Sequence, residues 1–194
     1  MRVPKTKERL MDVARLLFAK NGVENTTMND IAKTSKKGRR TLYTYFKNKE
    51  EVYLAVVQSE LDKLWEYLKA VSEKDTPPDQ KILEIIYARL EGVKEVVFRN
   101  GTLKASFFRD IWKVENVRKR FDKKEINLIK KVLEDGVNQG IFDIENVEMT
   151  AALVHYCLKG IEVPFIRGQV GADIKYENRK EYIANIVFGA LGKK

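Results

Sequence analysis

The chain has one cysteine, one histidine and four prolines among its 194 residues. A lone Cys157 excludes an internal disulfide, and Cys157 with His155 leaves no constellation for a Cys/His zinc site, so no metal and no cofactor is expected. So few prolines leave long stretches free to stay helical. No window holds the run of about 18 apolar residues that a membrane span requires, and the opening MRVPKTKERL runs into an amphipathic pattern rather than a signal-peptide core. A cytoplasmic protein without membrane contact is expected. A glycine-rich phosphate loop, a helical Glu-x-x-His pair and any local Ser/His/Asp motif are also missing, which argues against an enzyme and leaves a helical enzyme as a remote alternative. Hydrophobic residues at 44% and charged residues at 34% are ordinary for a soluble helical protein. The length suits one compact unit or a small reader joined to a larger body.

Charge of one sign is concentrated. Residues 1–50 hold 13 Lys and Arg against 5 Asp and Glu, an excess of eight, while the whole chain carries only +9. A basic first quarter fits either a solvated face or a nucleic-acid surface, and the arrangement within it has to decide.

Leu10, Val13, Ala14, Leu17 and Phe18 recur at the spacing of one helical face, and Asn21-Gly22 supplies a helix stop. Thr27 with Asp30 three positions later resembles a capping box, so a second helix is expected over about 27–34, with Met28, Ile31 and Ala32 as its apolar face. After Ser35-Lys36-Lys37-Gly38 a third short helix, about 39–45, turns Leu42 and Phe46 inward and Arg39, Arg40, Thr41, Tyr43 and Thr44 largely outward. Two short helices joined by four residues make a helix-turn-helix.

The stretch GVENTTMNDIAKTSKKGRRTLYTYFKNKEEVYLAV resembles the DNA-binding signature of the TetR family of bacterial regulators. Its landmarks are Gly22, Thr27, Ile31-Ala32, Thr41-Leu42-Tyr43, Tyr45-Phe46 and Lys49-Glu50, over about residues 6–57. The turn departs from the family pattern: Lys36 stands where glycine is usual, so it either adopts a left-handed conformation at about 1 kcal/mol or reshapes the turn. Lys37 replaces an apolar packing residue and can send its ammonium to a phosphate, and Gly38 caps the third helix without a side-chain acceptor.

A long helix begins at Lys49, with Tyr53, Val57, Leu61, Leu64 and Leu68 on one face, and ends before Pro77-Pro78. Ile82, Ile86, Leu90, Val93 and Val97 mark another to about Arg99. A shorter helix is expected around 103–113, and one over 116–139 carries Val117, Phe121, Ile126, Ile129, Val132 and Val137 before Gly140. From Met149 to Ile166 the chain is apolar on nearly every side, which one packed face does not require. Pro164 is expected to kink this helix. A final helix at about 177–191 presents Tyr182, Ile183, Ile186, Val187, Ala190 and Leu191. The fold class is therefore all-α, with about nine helices: a helix-turn-helix reader over 1–48 and a helical ligand-binding and dimerisation body over 49–194.

By this reading Arg39 and Arg40 contact base edges in the major groove. Thr27, Tyr43, Tyr45 and Lys49 contact phosphates, joined by Lys37, Thr41 and Thr44 on the same surface, although Tyr45 can instead pack inward. Trp65, Tyr87, Phe98, Phe107, Phe108 and Trp112 either line an apolar ligand cavity or form ordinary core. His155 is expected to be a hydrogen-bonded structural histidine rather than a ligand sensor, and Cys157 a small core residue rather than a redox switch. The TetR resemblance implies a homodimer through the last two long helices, bound to double-stranded DNA. Repression relieved by an apolar or amphipathic small-molecule effector is the leading functional reading, and control by a protein partner, or by nothing, is the alternative.

Overall fold

The computed structural model describes residues 5–99, 111–170 and 176–192, with only the backbone described for 111–113 and 176–180. Among them are eight helices and no strand: α1 (Lys5–Asn21), α2 (Met28–Thr34), α3 (Arg39–Tyr45), α4 (Lys49–Ser72), α5 (Pro78–Arg99), α6 (Ile111–Asn138), α7 (Val147–Ile166) and α8 (Tyr176–Ala190). The expected helix around 103–113 lies, up to residue 110, outside the described residues, while 111–113 open α6. No helix of the described residues is long and apolar enough to cross a membrane.

Local chemistry accounts for most boundaries. Gly22 ends α1 at φ +85°, its N–H donating to Phe18 O at 3.0 Å. Pro78 opens α5, where a missing N–H is harmless. Gly140, at φ +70°, closes α6 with paired bonds from Gly140 N to Val137 O and from Ile141 N to Gly136 O. Pro164 sits in the last turn of α7, one turn beyond Gly160.

The chain forms two compact units, Met1–Lys63 with Glu95–Arg120, and Leu64–Lys94 with Phe121–Lys194. Neither coincides with the expected segment 1–48, because α4, α5 and α6 each contribute residues to both units. In the first, α1 packs on α2 and α2 on α3. Leu10, Ala14, Phe18, Ile31, Leu42 and Val52 are fully buried there, and the Phe18 and Tyr53 rings meet edge to face at 6.0 Å. Glu60 is buried in the same unit among Lys63 at 3.2 Å, Arg15 at 3.5 Å and Arg99 at 2.9 Å.

In the second unit Leu68, Ile82, Ile85, Leu90, Ile129, Leu133 and Ala151 form the centre of the core. Gly92 is a close approach: a Cβ there would come within 2.5 Å of Leu64 Cδ1. Within this apolar interior lies Arg89, which is fully buried and pairs with Glu125 at 2.5 Å and with Glu162. Burial alone would depress the Arg89 pKa, but the carboxylates of Glu125 and Glu162 outweigh it and hold the guanidinium charged. Its three residues come from α5, α6 and α7, so one charged group ties three helices.

α7 buries Ala151, His155, Leu158 and Glu162 on one face. The opposite face exposes Met149, Leu153, Tyr156, Cys157 and Ile161. Cys157 is thus corrected from core to surface, since the buried stripe of α7 falls two residues before it and one after it. On α8, Tyr182 and Ile186 are exposed as well, Ile186 at 74%.

Arg89→Met should destabilise the protein by about 3–5 kcal/mol, because it strands two buried carboxylates. A urea midpoint at fixed protein concentration measures this. Adding Glu125→Gln and Glu162→Gln should recover most of the loss, and a single variant as stable as the parent would show that the pairing carries no weight.

Candidate nucleic-acid interface

Thr27 is the N-cap of α2. Its hydroxyl accepts from Asp30 N at 3.1 Å and donates to Asp30 Oδ2 at 2.6 Å, while Thr27 N donates to the same carboxylate at 2.8 Å. These bonds to Thr27 hold the Asp30 carboxyl below the usual carboxylate range. Thr26, fully buried, donates to Gly22 O at 2.8 Å and so fixes the approach to the cap.

The turn resolves the departure at Lys36 in favour of backbone strain. Lys36 adopts φ +56°, the only non-glycine residue with positive φ among those described. Lys36 N donates to Lys33 O and Lys37 N to Ala32 O, both at 3.1 Å, which is the paired-bond helix stop that glycine ordinarily completes. Ser35 is buried, its hydroxyl donating to Ala32 O at 3.0 Å. The turn therefore keeps its geometry and sets the Lys36 and Lys37 side chains in solvent.

Gly38, extended at φ −63° and ψ 147°, caps α3 without a side-chain bond, as expected. Leu42 and Phe46 anchor the inner side of the segment, and the Lys7 ammonium lies 5.5 Å from the Phe46 ring. Arg39, Arg40, Tyr43 and Thr44 are exposed, while Thr41 and Tyr45 are half-buried. Thr44 donates to Arg40 O at 3.0 Å, which occupies its proton within the helix. One short helix thus presents two guanidiniums in its first turn, where a helix end that lacks a capping side chain leaves backbone N–H groups open to an anion.

Lys49 has a further task that the sequence did not disclose. Its ammonium donates to Val23 O at 2.7 Å and Glu24 O at 3.1 Å, which clamps the start of α4 to the loop after α1. The start of α4 is itself closed by Asn48 Oδ1, accepting from Glu51 N at 2.8 Å, and by Glu51 Oε2, accepting from Lys47 N at 2.7 Å.

The six aromatic residues considered for a ligand site are distributed. Tyr87 lines a cleft of about 280 Å³ in the second unit, with Tyr67, Val71, Lys74, Glu84, Ala88 and Glu91. Trp65, in the same unit, is half-buried with the Lys124 ammonium 5.1 Å from its ring. Phe98 is 58% exposed. Phe107 and Phe108 lie outside the described residues, as does the Trp112 side chain.

Residues 10–56 match the pattern of the bacterial regulatory proteins of the tetR family. The transcriptional regulator QacR of Staphylococcus aureus is 26% identical over 177 residues, which cover 89% of this chain and 93% of QacR. The transcriptional regulator YhgD of Bacillus subtilis is 26% identical over 145 residues, 75% of this chain and 76% of YhgD. In fold, the chain superposes on the fatty acid degradation regulator FadR of Bacillus halodurans over the whole of both chains, with a TM-score of 0.73 at 17% identity. The matched segment spans the capped α2, the turn and α3 described above. Residues 10–56 thus carry a DNA-binding segment of the tetR type, and the chain is a DNA-binding transcriptional regulator.

Proposed function

We propose that the chain works as a homodimeric repressor that reads a roughly palindromic operator and leaves it when an apolar or amphipathic small molecule binds the helical body, in the cytoplasm. The observation that carries the DNA-reading part is the exposed run from Lys36 to Arg40, at the start of a helix anchored from beneath by Leu42 and Phe46. Arg39 and Arg40 reach guanine edges, where a guanidinium makes two hydrogen bonds. Lys37, Thr41, Tyr43, Thr44 and Tyr45 hold register on phosphates and sugar, with Thr27 at the end of the preceding helix. Lys49 supports this surface through the carbonyls of Val23 and Glu24 as well as through its charge.

Residues 1–48 act as the reader and 49–194 as the ligand-binding and dimerising body. Dimerisation uses α7 and α8, because Met149, Leu153, Tyr156 and Ile161 form a continuous apolar stripe and Tyr182 and Ile186 extend the apolar surface in the same unit. Two-fold symmetry of such a dimer imposes two-fold symmetry on the DNA, with half-sites about one helical turn apart. For the effector, the cleft with Tyr67 and Tyr87 supplies aromatic faces beside Glu84 and Glu91. Its volume falls just short of the ~300–1,000 Å³ usual for ligand pockets, so a small occupant suits it. α4 has residues in both units and gives the coupling a covalent path.

Three measurements test this. Arg39→Ala or Arg40→Ala should cost about 1–3 kcal/mol at the operator and less on random DNA, whereas Lys49→Ala should weaken both alike and also lower the thermal midpoint. Fluorescence anisotropy on the two DNAs at one salt concentration reads the difference, and an unchanged ratio of specific to nonspecific affinity in both arginine variants would remove them from the groove. Leu153→Glu or Ile186→Glu should turn a dimer into a monomer in light scattering at micromolar concentration, and a parent protein that is already a stable monomer contradicts the assembly. Any ligand found as an inducer should bind operator-loaded dimer about 5–150-fold more weakly than free dimer, since coupling is reciprocal. Equal dissociation constants by calorimetry would exclude that ligand.

A further inference from the structure

The second unit encloses a polar cluster that neither the DNA reading nor the dimer face uses. His155 on α7 is fully buried, and its Nδ1 lies 2.7 Å from Glu125 Oε2 on α6. Its Nε2 has no hydrogen-bond partner, nor does Asp122 Oδ1, 3.8 Å away. We propose that His155 Nε2 and Asp122 Oδ1 bind one divalent first-row transition cation, with Glu125 orienting the imidazole from behind.

The neighbours leave these two atoms turned to one another. Lys159 donates to the second oxygen of Asp122 at 2.9 Å, and Arg89 holds the second oxygen of Glu125 at 2.5 Å. A carboxylate only accepts, so the short contact to Glu125 calls for a ring proton on Nδ1, and the neutral tautomer with that proton carries its lone pair on Nε2, the nitrogen nearer Asp122. A carboxylate behind a ligating histidine is the usual means of fixing ring orientation and raising basicity.

Distance and charge agree with a cation. A separation of 3.8 Å is too long for a hydrogen bond. Two bonds of about 2.1 Å at a tetrahedral angle place their ligand atoms about 3.4 Å apart, so closure by a few tenths of an ångström completes the pair. Among the described residues, the charged groups paired with His155 and its partners are Asp122, Glu125, Glu162, Arg89 and Lys159, three carboxylates against two cations, so the cluster without the imidazole carries one negative charge. Ligand-capable atoms of Asp122, Glu125 and His155 all lie within 4.8 Å of one another. Asp122 is 16% exposed but its Oδ1 and His155 Nε2 are buried, so entry of a cation requires the Asp122 side chain to swing outward. An imidazole nitrogen selects zinc, cobalt, nickel or iron over magnesium and calcium, which prefer all-oxygen sites. The count of one cysteine and one histidine had pointed away from any metal, and the carboxylates that folding brings to that histidine reverse the expectation.

Because His155 is the only histidine in the chain, the imidazole 15N resonances of the unmutated, tag-free protein report this one site. After chelator treatment, zinc should bind once per chain and shift the Nε2 resonance while Nδ1 stays protonated, and cobalt should give a visible absorption that zinc displaces. Magnesium at the same concentration should do nothing. Glu125→Gln should weaken zinc about 10–100-fold, and Asp122→Asn by at least as much. Zinc that leaves the ring resonances unmoved, or a ring protonated on both nitrogens at neutral pH and indifferent to zinc, overturns the proposal. So does unchanged zinc binding in a folded His155→Gln variant, and if that variant does not fold, the resonances of the unmutated protein still decide.

Discussion

A guanidinium enclosed by apolar helices has to be neutralised where it stands, and the second compact unit of this protein is organised around that requirement. Arg89 lies on the inward stripe of α5 with Ile82, Ile85, Ile86 and Leu90. Its neutralisation calls a glutamate from α6 and another from α7 to one point. Apolar contacts tolerate a slip of one helix along another, but a buried ion pair does not, since any shift strands a charge in a medium that cannot solvate it. The same pairing fixes which side of α7 faces inward, and therefore which side is left as the apolar stripe of Leu153 and Tyr156. It also leaves Glu125 with one oxygen for His155. Helix register, the exposed apolar stripe of α7 and the histidine environment depend in this way on one arginine.

What could be read in advance was what short-range chemistry decides. The Thr27–Asp30 cap, the bounds of α3 and the stops at Gly22 and Gly140 each involve residues within a few positions of one another, and they occur where the sequence places them. The inward faces of α4 and α5 were legible too, because the 3.6-residue period is itself a local property. The Lys49 clamp was not, because its partners are carbonyls 25 and 26 residues away and any lysine can serve either a carbonyl or a phosphate. The buried charges were missed for a related reason. Arg89, Glu125 and Glu162 each stand four residues after Ile85, Phe121 and Leu158, so each continues an apolar stripe, and that displacement was the available signal. Cys157 went astray because α7 is apolar around most of its circumference, which hides the side that faces inward.

The turn between α2 and α3 shows how a reader domain divides its stability against its task. Holding Lys36 at φ +56° costs about 1 kcal/mol relative to glycine, yet the paired bonds to Lys33 and Ala32 keep the helix stop intact. The return is an ammonium on a surface that glycine would leave neutral. Strain of this kind persists only where the surroundings over-determine the backbone, and buried Ser35 with Ile31 and Ala32 beneath it does so.

That same run has a consequence for the conditions under which the regulator acts. Lys36, Lys37, Arg39 and Arg40 are exposed within five consecutive residues. Each one that neutralises a phosphate releases about 0.9 of a condensed counterion, so affinity falls as a power of the surrounding salt concentration, with the exponent set by the number of contacts. A regulator built this way responds to ionic strength with no sensor dedicated to it. As surrounding salt rises, an unchanged number of copies occupies fewer sites, weakly held sites empty first, and the set of controlled promoters contracts toward those matched best by base contacts.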